Sequence, residues 1–139
     1  MADPVSLSSG LLALITFASK SSIVLYRSIE SYRSHPKNVR DLKEELEAIG
    51  GVLQGLSETA EQNHDIDLSA LKLPLLRCGK ACREFEEALA KCSSRSGGSK
   101  SSFRDWAKLK YLGDGIDEFR RTLASYKSTI TIALGYINL

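Results

Sequence analysis

Three stretches of the chain repeat apolar residues at alternating steps of three and four, the spacing that places them on one face of an α-helix. Between residues 36 and 62 the inner stripe is Val39, Leu42, Leu46, Ile49, Leu53 and Leu56, with Arg40, Lys43, Glu44, Glu45 and Glu47 left outside. Between residues 68 and 92 it is Leu68, Leu71, Leu75, Cys78, Cys82, Phe85, Leu89 and Cys92. From 115 to 137 it is Ile116, Phe119, Leu123, Tyr126, Ile130, Ala133 and Ile137. The β-branched end of that last stretch, Ile130-Thr131-Ile132, still reads as helix because the period is unbroken and no second strand is available to pair with it.

The leading stretch, from about residue 4 to 33, has a different pattern. Leu7, Leu11, Leu14, Ala18, Ser22, Leu25 and Tyr32 share a stripe, but Leu12, Ile15, Ile23 and Tyr26 cover much of the remaining surface. A helix apolar on nearly every side is either enclosed by other helices or dissolved in lipid. No charge interrupts it from Pro4 to Ser19, short of the roughly 18 to 20 unbroken positions of a resident membrane span. A buried central helix and a membrane-active segment are therefore both open readings.

Punctuation between the stretches fits this division. Asp3-Pro4 offers a capping carboxylate and a proline at the first helical position, and Ser34-His35-Pro36 ends the first helix. Asn63-His64-Asp65 marks the next turn. Pro74 leaves two starts open for the third helix, either at the proline or through a looser turn from Asp67. Gly50-Gly51, inside the second helix, asks for a closely approaching neighbour or a bend. Residues 93–101, rich in serine and glycine, read as a flexible loop, and Phe103, Trp106 and Leu109 suggest a short helix over 102–112. The expected fold is all-α: one domain over residues 1–139, an antiparallel bundle of four long helices plus one short one, the first helix central and largely buried.

Charge sharpens the picture. The net charge of +2 conceals a −7 segment from Asp41 to Asp67 and a +6 segment from Lys72 to Lys110. The basic segment is either a solvated helix face or a surface for an anionic partner. Nucleic acid is the poorer partner, because interleaved aromatics and a reading motif are missing. Asp3 stands where a secretory signal would carry positive charge, and three cysteines make no disulfide framework, so a cytoplasmic chain is expected. Trp106 beside Arg104, Lys108 and Lys110 is either an interfacial anchor or a core ring with a basic flank.

Catalytic chemistry finds little support. His35 and His64 sit in turns without partners at a useful spacing, and Cys78, Cys82 and Cys92 lie on an apolar stripe where a thiol acts as a small hydrophobe. No phosphate-binding glycine motif is present, so neither an enzyme, nor a cofactor, nor a metal, nor a small-molecule substrate is expected.

Two segments bring a family into view: VRDLKEELEAIGGVL in the second helix and FRRTLASYKSTITIAL in the last, together with the opening DPVSLSSGLLALITF. Taken together over essentially the whole chain, they resemble the fungal HeLo-like domain found at the N-terminus of many fungal STAND (NLR-type) proteins. That resemblance implies a cell-death effector, resting in the cytoplasm, whose oligomerisation frees the first helix to attack the plasma membrane. Carried over to this chain, the membrane-active segment is Val5, Leu7, Leu11, Leu12, Leu14, Ile15 and Phe17. Separately from the resemblance, the basic segment read as an anionic-lipid surface gives Arg95, Lys100, Arg104, Trp106, Lys108 and Lys110 as the candidate headgroup contacts. Self-association or pairing with related HeLo-like domains is the implied protein contact. The repeated glycine zipper of some related domains is reduced here to Gly10, with Ser6, Ser9 and Ala13 in its place. A non-lytic adaptor built on the same bundle is the alternative.

Overall fold

The computed structural model describes residues 6, 9–32, 37–62, 67–95 and 114–137. Among the described residues four α-helices carry the fold, α1 (Leu11–Glu30), α2 (Lys37–Gln62), α3 (Lys72–Arg95) and α4 (Asp114–Ile137), with a 3-10 turn, Ser69–Leu71, ahead of α3. Among the described residues there is no strand, and the all-α bundle is the observed class. The expected short helix over 102–112, His35 and His64 lie outside the described residues.

The first helix starts later than its apolar run suggests. Gly10 is extended, with φ −67° and ψ 159°, and regular helix begins only at Leu11 rather than near residue 4. The serines before it explain the delay. The Ser9 amide donates to the Ser6 carbonyl at 2.9 Å, while the Ser6 amide donates to the Ser9 hydroxyl at 3.1 Å. That closed turn satisfies the backbone locally and competes with helix. At the other end, Ser31 and Tyr32 turn back onto carbonyls of the last helical turn, so α1 closes at Glu30 and not at residue 33.

α2 follows its pattern residue for residue: all six members of the stripe from Val39 to Leu56 are buried. Gly50 and Gly51 lie inside unbroken helix, and nothing stands within 4 Å of where a side chain would begin, so no neighbouring helix accounts for them. Of the two starts open for α3, the looser turn is the one observed. Asp67 accepts the Ser69 amide at 3.0 Å, and Pro74 then falls in the first turn of α3, where its missing amide hydrogen has no partner to lose. Bonds from the Ser69 hydroxyl and amide hold the Asp67 carboxyl below its ordinary range. α3 runs on to Arg95, so residues 93–95 are helix, not the start of the serine and glycine loop. α4 remains helical through Ile130-Thr131-Ile132.

Side-chain pairs fix the helix directions. Ser28 meets Glu86 and Tyr32 reaches the Leu89 carbonyl, while Phe17 lies over Gly79, so α1 and α3 run side by side in the same direction. Lys43 pairs with Glu30 at 2.9 Å and Tyr26 with Glu47, which sets α2 antiparallel to α1. Phe85 stacks on Phe119 with centroids 4.4 Å apart, and Lys127 pairs with Glu45 at 2.8 Å; α4 therefore descends beside α2 and against α3. α1 packs on α3 and α2, and α4 on α2 and more lightly on α3. The helices thus enclose one core in the ring order α1–α3–α4–α2, with α1 and α3 running one way and α2 and α4 the other.

α1 contributes Leu14, Ile15, Ala18, Ser21, Ser22, Leu25 and Ile29 to that core. Enclosure on nearly every side is not found, however. Leu12 is 45% exposed, Ile23 43% and Val24 50%. Among the described helices α1 packs on two, α2 and α3, and these leave part of its circumference uncovered. Apolar residues on that part face outward whatever their hydrophobicity.

Candidate functional site

The outward arc of α1 is the first unusual surface. Leu12, Ala13, Thr16, Lys20, Ile23, Val24 and Arg27 all lie on it and are exposed. Its only charges are the cations Lys20 and Arg27, since Glu30 is the first acid of the helix. By length and composition α1 is the one helix among the described residues able to cross a membrane. An apolar arc with basic residues and no acid suits the boundary between anionic headgroups and acyl chains.

Behind this arc α1 is keyed to α3. Gly79 is buried within α3, and a Cβ there would overlap the Phe17 ring, with the ring Cζ at 3.1 Å and two further ring atoms nearer. Glycine makes the notch and Phe17 fills it. The Arg83 guanidinium lies over the same ring, 5.9 Å from its centroid. Above this contact Ser28 donates to Glu86 at 2.9 Å. Between the two contacts a groove of about 360 Å³ opens, lined by Phe17, Lys20, Ser21 and Val24 of α1 and Arg83, Glu86 and Glu87 of α3.

On its α2 side, α1 is tied by polar contacts near its C-terminus. The Tyr26 hydroxyl donates to Glu47 at 2.6 Å and lies 3.4 Å from Glu30. The hydrogen bond to Glu47, followed by partial desolvation and the nearby carboxylates, pushes the phenol from 10.0 up to about 12. Lys43 stands above the Tyr26 ring, 5.5 Å from its centroid, while pairing with Glu30.

The residues expected to attack the membrane divide. Leu14 and Ile15 are buried in the core, Leu11 and Phe17 are half-buried, and Leu12 is exposed. Val5 and Leu7 lie outside the described residues, as do Lys100, Arg104, Trp106, Lys108 and Lys110 of the expected headgroup set. Arg95 closes α3, but its side chain is outside the description. Reading the stripe alone missed Lys20, Ile23, Val24 and Arg27 as a single surface, and missed Gly79. The available signal for Gly79 was a glycine one residue past Cys78 in an otherwise favourable helix, where it costs about 1 kcal/mol and needs a packing reason.

Neither of the two described thiols is exposed. Cys78 and Cys82 are free and buried, and the Cys78 contact together with burial pushes the Cys82 thiol well above its ordinary value, so it stays protonated. The described residues contain no cluster of three or more metal-ligating side chains.

A family model described as the N-terminal region of the pigment biosynthesis cluster protein PigL matches residues 2–139. No curated protein matches the chain, and no solved structure does.

Proposed function

The chain belongs to the PigL N-terminal family, a HeLo-like family of fungal proteins, and from that premise we propose that it is a membrane-targeting cell-death effector domain. In this reading it rests in the cytoplasm, engages anionic lipid at the plasma membrane and, after oligomerisation within a larger STAND or amyloid-signalling protein, releases its first helix into the bilayer. The observation that carries the proposal is the outward arc of α1: Leu12, Ile23 and Val24 exposed around Lys20 and Arg27, with no acid before Glu30.

The energetics favour two stages. Leu14, Ile15, Leu25 and Ile29 are each 2% exposed or less. Returning four such side chains to water costs roughly 6 to 12 kcal/mol at about 1.5 to 3 kcal/mol each, comparable to the whole stability of a small domain. Lipid removes most of that penalty, because acyl chains receive the same groups. The exposed arc therefore docks first, with α1 in place, and release follows where hydrocarbon is at hand.

Co-sedimentation with vesicles tests the docking stage. The domain is expected to pellet with vesicles containing anionic lipid at low salt, and the Leu12→Ser/Ile23→Ser variant at least ten-fold less, with its unfolding transition unchanged. Equal pelleting with and without vesicles refutes the proposal. Deep burial of those same four side chains supports the second reading, an adaptor in which α1 stays internal and protein contacts replace lipid. Hydrogen exchange separates the two: on vesicles the amides of α2 and α3, which α1 covers in the bundle, lose protection in the effector, where α1 leaves while staying helical, and keep it in the adaptor.

A further inference from the structure

The groove between α1 and α3 sorts its charges along its length. At the Phe17 end stand Lys20 on one wall and Arg83 on the other; at the Val24 end stand Glu86 and Glu87. Glu86 is held there by the Ser28 hydroxyl at 2.9 Å. Between the two ends Ser21 lines the groove, only 7% exposed, and its hydroxyl makes no hydrogen bond to any described residue. That hydroxyl opens into the groove, where a polar ligand atom can reach it. The volume, about 360 Å³, falls within the range of ordinary small-ligand clefts, about 300 to 1,000 Å³.

We propose that this groove binds an aminoethyl phosphate group, the phosphoethanolamine class, with phosphate between Lys20 and Arg83, ammonium toward Glu86 and Glu87, and the Ser21 hydroxyl donating to a phosphate oxygen. Arg83 and Glu87 lie one turn apart, about 6 Å along the axis at 1.5 Å per residue. The two charges of an α-amino acid share a carbon and are too close to reach both ends, whereas a two-carbon spacer reaches them. Guanidinium and ammonium on opposite walls suit a phosphate with several acceptor oxygens. A primary ammonium has three hydrogens to give to two carboxylates; a quaternary one has none, so choline fits worse. The group comes either from a lipid headgroup or from a free phosphate monoester. Only the lipid source depends on the membrane reading.

Titrating the full chain with O-phosphoethanolamine, and following backbone amide shifts, tests the site. Saturable shifts confined to residues 17–24 and 83–87 are expected, at least ten-fold tighter than for inorganic phosphate, ethanolamine or phosphocholine. Ser21→Ala and Glu87→Gln should each weaken binding at least five-fold while circular dichroism stays unchanged. Vesicles of phosphatidylcholine, with and without phosphatidylethanolamine, assign the source: stronger capture with the second lipid points to a headgroup, equal capture to a free monoester. Failure to saturate, equal affinity for inorganic phosphate, or variants that bind as well as the parent overturn the proposal. If that happens while anionic vesicles still pellet the domain, the groove site falls and the membrane reading stands.

Discussion

Replacing Gly79 by alanine sets two effects of opposite sign against each other. In an unobstructed helix interior the change stabilises by about 1 kcal/mol, because alanine loses less backbone freedom on folding. At Gly79 the added methyl enters the Phe17 ring. Overpacking of this kind costs about 1 to 3 kcal/mol. The ring is half-buried and can swing outward, so part of that cost becomes lost α1–α3 contact rather than strain. The net change in the parent chain is therefore between about 0 and 2 kcal/mol of destabilisation. In a Phe17→Ala background the obstruction is gone, and the same glycine substitution should stabilise by about 1 kcal/mol. Denaturant unfolding of the four proteins, compared at unchanged m value, gives a coupling of about 1 to 3 kcal/mol. If Gly79→Ala stabilises equally in both backgrounds, within about 0.3 to 0.5 kcal/mol, the notch is not a contact and the keyed α1–α3 packing is wrong.

The deep and exposed apolar residues of α1 should part company: Leu14→Ala destabilises by about 2 to 5 kcal/mol, whereas Leu12→Ala, on a side chain 45% exposed, stays within about 1 kcal/mol, both read from thermal or denaturant unfolding. Tyr26 predicts an alkaline effect: its phenol is raised from 10.0 to about 12 in the fold, so its contribution is intact below about pH 10 and is lost as pH climbs to about 12. Comparing unfolding free energies of the parent and Tyr26→Phe across that window checks it, and a pH slope unaltered by the substitution would contradict the Tyr26–Glu47 bond. Gly51→Ala, with nothing within 4 Å of the new methyl, should stabilise the isolated domain by about 1 kcal/mol; destabilisation at low protein concentration would reveal a neighbour to α2 that the fold does not show.

How far the chain could be read depended on the kind of information each feature needed. The α2 stripe from Val39 to Leu56 was legible because one amphipathic period determines one buried face, and every member is buried. The start of α1 was not, because apolarity from Leu7 onward says nothing about Ser6 and Ser9 bonding each other's backbone. The exposure of Leu12, Ile23 and Val24 was hidden for a related reason. Hydrophobicity records what a residue prefers, while the number of neighbouring helices decides how many residues obtain it. The α1–α3 groove joins residues some sixty positions apart, such as Ser28 and Glu86, and no local period relates them. The basic set around Trp106, read from composition, lies outside the described residues.

Surplus hydrophobicity in α1 also constrains what the domain can have been selected for. A helix needed only for the core would carry polar groups at positions 12, 23 and 24, as α2 carries Glu44, Glu47 and Glu58 on its own exposed side. Three large apolar residues left 43–50% exposed bring a solubility penalty for only partial packing. Meanwhile the inner face of the same helix is as well buried as that of α2. The two faces together describe a helix stable in the bundle and also compatible with hydrocarbon over most of its surface, interrupted by Lys20 and Arg27. Such a helix can change solvent without changing its secondary structure. On the proposed effector reading, the barrier to release resides in the contacts that hold α1 in place: Phe17 in the Gly79 notch, Ser28 on Glu86, and Tyr26 on Glu47. Weakening these contacts should lower the barrier to release while leaving the exposed docking arc as it is, so vesicle binding and vesicle leakage should respond differently to the same substitutions.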